Sequence, residues 1–351
     1  MTTPAITLPA PPEYWCIERL TAERTEAIAA FGFTERQARF LVEVLIHSGV
    51  FVERQYCTYA GIAHGQKTTD FLRTLVERGH ARPIEVGARH RGRLFHLCHK
   101  PLYAAVGQAD NRHRRRMPLG RMIERLMVLD AVLADRTLNW LGTESDKRNY
   151  FMRELQGRVE LREFPRLMFG AGARSTTRYF PDKLPIGIQR DKWDEHVFLY
   201  LVTSPVPMDF RLFLLRHGEL LRSLLRWRIR VLVPEPFARA IRQFGHAARE
   251  QLATPVPPAS AEELEWLFRE RQRRQEGPPE PPDDRFRRAV SMFRAPRFRA
   301  LYRFWQQEGN TAGWTAQSHT LRDALTRQEG RVEFVRLGHQ YFHLASLVGV
   351  A

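Results

Sequence analysis

Gln66, Lys67, Thr69 and Arg73 fall on one side of the segment QKTTDFLRTLVERG, whose apolar residues Phe71, Leu72, Leu75 and Val76 take the other. The spacing predicts an amphipathic helix whose polar face carries residue types suited to reading base edges. Glutamine can pair bidentately with adenine and arginine with guanine, while threonine meets a phosphate or a thymine methyl. Thr68 sits at the boundary of this face and is counted with it, and Asp70 lies within it. Helix N-termini usually attract acids, because the macrodipole is positive there. Here Lys67 and neutral polar residues fill the first turn, so a phosphate can take the anion's place. Any amphipathic helix has a polar face; the acid-poor start is what distinguishes this one.

Such a helix needs a frame. Upstream, TERQARFLVEVLIHSG reads as a helix capped by Thr34, with Ala38, Leu41, Val42, Leu45 and Ile46 as its buried stripe. ERQYCTYAGIA reads as a short helix ending at a break, His64-Gly65. Downstream, ARPIEV and RLFHLC read as two strands joined by the basic tip GARHRGR. The order is that of a winged helix-turn-helix, which places one helix in a DNA major groove and a charged hairpin beside it on the backbone. Arg89, His90, Arg91 and Arg93 would form the wing. Arg112, Arg114, Arg115 and Arg116, in the run DNRHRRR, would either extend the phosphate contacts or form a solvated linker.

Charge agrees with a polyanionic partner. The net charge is +16, and residues 78–125 hold twelve Lys or Arg against three acids. Neutralising phosphates releases condensed counterions, so a clustered excess of this kind favours nucleic acid. Double-stranded DNA is the expected partner and a membrane is not, since no apolar run reaches spanning length. Three widely spaced cysteines (Cys16, Cys57, Cys98) without a CxxC, and a proline-rich start lacking the pattern of a signal peptide, suit reduced thiols in a cytoplasmic protein.

Six stretches are expected. Residues 1–20 read as a flexible arm and 21–108 as the winged helix-turn-helix, with a first helix capped by Thr21. Residues 109–136 combine the basic run with a connecting helix, whose stripe Leu119, Met122, Ile123, Leu126, Leu129 and Leu133 serves core packing or a partner helix in a homodimer. Residues 137–253 read as an α/β unit: after a polar stretch (GTESDKRNYF) come strand, strand, helix and strand. Residues 254–284 read as proline-rich linkers around a charged helix, and 285–351 as helices followed by a hairpin, RVEFVRL and QYFHLASL, in a unit that could offer a second DNA contact.

Strand, strand, helix, strand is also the local order of restriction-endonuclease-like cores, where paired acids hold Mg²⁺ and a lysine helps activate water. Asp182 stands where the first carboxylate would be, with Asp194 and Glu195 as weak partners. The second strand carries Tyr200 and Val202 where an acid and a lysine belong. The expectation is a nuclease-like scaffold without its catalytic centre, or an α/β domain with no nuclease ancestry. A winged helix followed by this FPD…P-strand-helix-strand unit is similar to the replication-relaxation-like proteins of bacterial plasmids and integrative elements, over roughly residues 34–235. The resemblance implies DNA binding linked to mobile elements, in transcription, replication or transfer.

Other chemistry is absent from the sequence: no phosphate loop, no dinucleotide fingerprint, no HExxH. His96, Cys98 and His99 look like metal ligands, but strand alternation would send His99 to the opposite face from the other two. No metal and no cofactor are expected. The reading is a multidomain α+β, sequence-specific DNA-binding protein, with a Mg²⁺-dependent nuclease or an accessory factor of element replication or transfer as alternatives.

Overall fold

The computed structural model describes residues 16–84, 93–154, 160–170, 176–189, 195–278, 280–308 and 319–341. The protein is α+β, with helices and both antiparallel and parallel strand pairs. It divides into two units: one from the described parts of 1–156, 184–191 and 337–351, the other from those of 157–183 and 192–336.

The first unit runs α1 (Ile17–Ala29), α2 (Glu35–His47), β1 (Val50–Val52), α3 (Glu53–Ala60), α4 (Gln66–Glu77), β2 (Ala81–Ile84), β3 (Leu94–Leu97), α5 (Lys100–Ala105), α6 (Leu119–Ala134), β4 (Leu138–Leu141) and α7 (Glu144–Glu154). Thr34 caps α2 as expected: its hydroxyl accepts from the Gln37 amide while the Gln37 side chain accepts from the Thr34 amide. Thr21 caps nothing. It lies inside α1, where its hydroxyl donates to the Ile17 carbonyl at 2.8 Å, and Cys16 holds the cap position. Residues 17–20 therefore belong to a helix and not to the expected arm, because Ile17 and Ile28 are both buried; residues 1–15 lie outside the described residues.

The short strand β1 was not legible in the sequence, since VFV is too short to alternate and all three residues are buried. It pairs antiparallel with β3, giving a three-stranded sheet in the order β1-β3-β2. Phe40, Leu41, Leu45, Phe51, Tyr56, Phe71 and Leu75 meet in one core beneath it. Of the α6 stripe, Met122, Leu126 and Leu129 are buried in internal packing, as are Met127, Val128 and Val132 beside it, while Leu119, Ile123 and Leu133 are half-buried.

The basic run is anchored and is not a linker. His113 is buried within a 3-10 turn, Arg112–Arg114, and its carbonyl accepts from Nε2 of His96 at 2.8 Å. Gly49 makes this possible. At φ +75° it sits under the turn, and a Cβ there would meet the His113 Cβ at 2.6 Å. The polar stretch GTESDKRNYF is largely α7, tied down by a bidentate pair between buried Arg24 and Asp146 (2.9 and 3.0 Å). Residues 337–341 join this unit through Tyr341, whose hydroxyl donates to Asp130 at 2.6 Å beside Arg54.

In sequence, β5 (Arg166–Phe169) and β6 (Thr176–Tyr179) follow α7 and form an antiparallel pair in the second unit; β7 (Ile186–Gln189) belongs to the first and pairs antiparallel with β4. The second unit continues with β8 (Glu195–Leu201), α8 (Met208–Ser223), β9 (Arg226–Val233), α9 (Ile241–Leu252), α10 (Pro258–Glu276), α11 (Asp284–Met292), α12 (Pro296–Glu308), α13 (His319–Thr326) and β10 (Gly330–Arg336). The strand, strand, helix, strand order is present as β7, β8, α8 and β9, although β7 falls in the other unit, so 137–253 is divided between the two units.

RVEFVRL is the strand β10, and it runs parallel to β9, a pairing the sequence reading did not include, with Gly330 opposite Trp227. A Cβ at Gly330 would lie 2.3 Å from the Trp227 ring, so only glycine admits that register. Of QYFHLASL, residues 342–347 lie outside the described residues. The charged helix expected between linkers, α10, buries Leu264, Leu267 and Phe268 against Phe293, Leu301 and Phe304 of α11 and α12 and the turn between them. Apolar residues spaced three and four apart within a charged sequence are enough for that face.

Candidate nucleic-acid interface

The α4 helix starts at Gly65 with no acid in its first turn. Gln66, Lys67, Thr69 and Arg73 are exposed, and Phe71, Leu72 and Leu75 are buried, as the periodicity requires. Thr68 is the exception. It is fully buried, with its hydroxyl 3.6 Å from the Cys57 sulfur on α3, so it holds α3 to α4 and cannot reach a ligand.

Thr69 and Arg73 of α4 and Arg93 at the start of β3 line one cleft of about 550 Å³ between helix and sheet. Glu53, His64 and Glu77 also line it, and the acids are engaged: His64 with Glu53 at 2.7 Å, Arg73 with Glu77 at 3.9 Å. Asp70 accepts from Gln66 at 2.8 Å and from Arg73 at 2.5 Å, which neutralises part of the helix face. Arg82, overlooked in the sequence, is exposed on β2 in register with His96. It stands in the run ARPIEV, ahead of the basic tip to which the other wing residues belong. Arg89, His90 and Arg91 lie outside the described residues. Arg112, Arg115 and Arg116 are exposed around the anchored turn, whereas Arg114 is half-buried.

The sheet beneath is held by histidines kept neutral. Burial, only partly opposed by the bond to the His113 carbonyl, lowers the pKa of His96 below its ordinary 6.5. Burial also lowers His80, helped by His99, whose Nδ1 lies 3.1 Å from that of His80. His96, one of the three residues that look like metal ligands, spends its Nε2 on a carbonyl. Among the described residues, no three His, Cys, Asp or Glu side chains come together as a metal site.

Of the nuclease candidates, Asp182 and Glu195 are engaged in separate ion pairs. Asp182 is on a tight turn between β6 and β7, where the Lys183 amide bonds the Phe180 carbonyl, and not on a strand. Its carboxylate lies 3.3 Å from Nε2 of buried His217. Glu195 opens β8 and accepts from Arg228 at 2.7 Å and Arg331 at 3.1 Å, which stitches the edges of three parallel strands. Asp194 lies outside the described residues. Among the described residues no helix is long and apolar enough to cross a membrane. Comparison with protein-family models, with curated proteins and with solved structures finds no match.

Proposed function

We propose that residues 34–97 are a winged helix-turn-helix and that the protein binds double-stranded DNA sequence-specifically, most simply as a transcriptional regulator of the mobile-element kind its resemblance implies. The observation that carries this reading is the joint cleft of Thr69, Arg73 and Arg93 beside an acid-free helix start. In it, α4 enters a major groove with Gln66, Lys67, Thr69 and Arg73 at the bases. Arg93 and Arg82, together with Arg89, His90 and Arg91 of the wing sequence and Arg112, Arg115 and Arg116, meet phosphates.

The test is binding of the full chain to DNA from its own upstream region and to random duplex over a salt series. A preference of ~10³-fold or more, with a steep salt slope, is the expected result. Equal binding to both duplexes would remove the sequence-specific reading, and no binding to either would remove DNA altogether.

A further inference from the structure

Four arginines of the second unit meet at a cavity of about 770 Å³. Arg211 comes from α8, Arg242 from α9, and Arg299 and Arg303 from successive turns of α12. Arg242, Arg299 and Arg303 are exposed, and no carboxylate among the described residues pairs with them. Elsewhere in the unit Arg269, Arg273, Arg274, Arg285 and Arg287 are held by acids. Arg211 is different again: its side chain is 3% exposed, it is bonded to Glu250 and Gln251, and its Nε has no partner. Glu250 also takes His246 at 3.4 Å, so one carboxylate stands against four guanidinium groups and an imidazole.

The backbone adds to this charge. Pro207 and Met208 begin α8, Pro296 begins α12, and Arg242 and Gln243 lie in the first turn of α9; all line the cavity. Three helix N-termini therefore contribute to one space, and neither α9 nor α12 has an acid in its first turn. The segments entering α8 and α9 leave the carboxyl ends of β8 and β9, which are adjacent and parallel. In open α/β sheets this is the edge at which ligands bind.

We propose that this cavity binds a phosphorylated small molecule of nucleotide size, with its phosphates held by Arg242, Arg299 and Arg303. Guanidinium groups match phosphate oxygens bidentately. The uncharged part of the ligand lies on Val206, Pro207, Met208 and Pro296, an apolar floor that a bare nucleic-acid backbone contact would not require. The volume falls in the range of small-molecule sites. The site lies wholly in the second unit and does not depend on DNA binding by α4.

Titration calorimetry of the full chain with inorganic pyrophosphate, with ADP and with a short random duplex tests it. Saturable binding of pyrophosphate and ADP is expected, weakened about tenfold or more by Arg299→Gln with Arg303→Gln. Arg242→Gln, on a different helix, should weaken it too, with unchanged thermal melting and unchanged duplex binding in both variants. Failure of pyrophosphate and ADP to bind would overturn the proposal, as would binding that the variants leave intact. Loss of duplex binding in the variants, without any polyphosphate binding to the parent chain, would reassign the arginines to nucleic acid and overturn it equally.

Discussion

Arg73 donates through Nη2 to Oδ1 of Asp70 at 2.5 Å, and the same oxygen accepts from Gln66. One carboxylate thus holds the two side chains best suited to reading bases. If α4 reads DNA as proposed, the DNA has to displace it, and Asp70 would then act as a brake on that face. Asp70→Asn should tighten DNA binding several-fold while lowering the preference for one sequence, because the two side chains are no longer pre-positioned. Fluorescence anisotropy on specific and random duplexes measures both effects.

Arg73→Ala should cost ~1–3 kcal/mol on the specific duplex and less on random DNA. Arg93→Ala and Arg115→Ala should weaken both duplexes alike and reduce the salt slope by about one each. An identical loss on both duplexes for Arg73→Ala would move that residue into the phosphate-contacting group.

Stability should depend on pH through His96 and His80. Both have lowered pKa values in the fold and about 6.5 once unfolded, so the unfolded chain binds more protons at acid pH. The first unit should be equally stable above neutrality and lose stability as pH falls below about 6.5. His96→Gln, whose amide can still donate to the His113 carbonyl, should flatten that dependence in urea melts at a series of pH values.

The Arg24–Asp146 pair is buried and bidentate, and Asp146 also completes the cap of α7: the Thr143 hydroxyl accepts from the Asp146 amide, and the Asp146 carboxylate accepts from the Thr143 amide. Removing one partner leaves an unpaired buried charge. Asp146→Ala should therefore cost ~3–5 kcal/mol in chemical denaturation, whereas Arg19→Ala, at an exposed pair, should change stability by under ~1 kcal/mol.

The dispersal of Asp182 and Glu195 into separate ion pairs predicts that the chain leaves duplex DNA intact in Mg²⁺ or Mn²⁺. Cleavage that disappears with Asp182→Ala would restore the nuclease reading.

Local spacing carried much of the fold. The period of apolar residues set α2, α4 and α6, Thr34 marked the start of α2, and two short runs, ARPIEV and RLFHLC, either side of a glycine-flanked basic tip marked β2 and β3, since each of these signals acts over a few residues of chain. The polar face of α4 was legible for the same reason, apart from Thr68. That residue's burial depends on where α3 lies, which no helical period encodes. Long-range partners stayed hidden. The pairing of β10 with β9 rests on glycine meeting Trp227 about a hundred residues away. The anchoring of the basic run rests on His96, and the meeting of Arg211, Arg242, Arg299 and Arg303 on three helices converging at one edge of a parallel sheet. Residue types and spacing specify which face of an element is apolar; which elements then bring their polar faces together depends on how those apolar faces find one another in space.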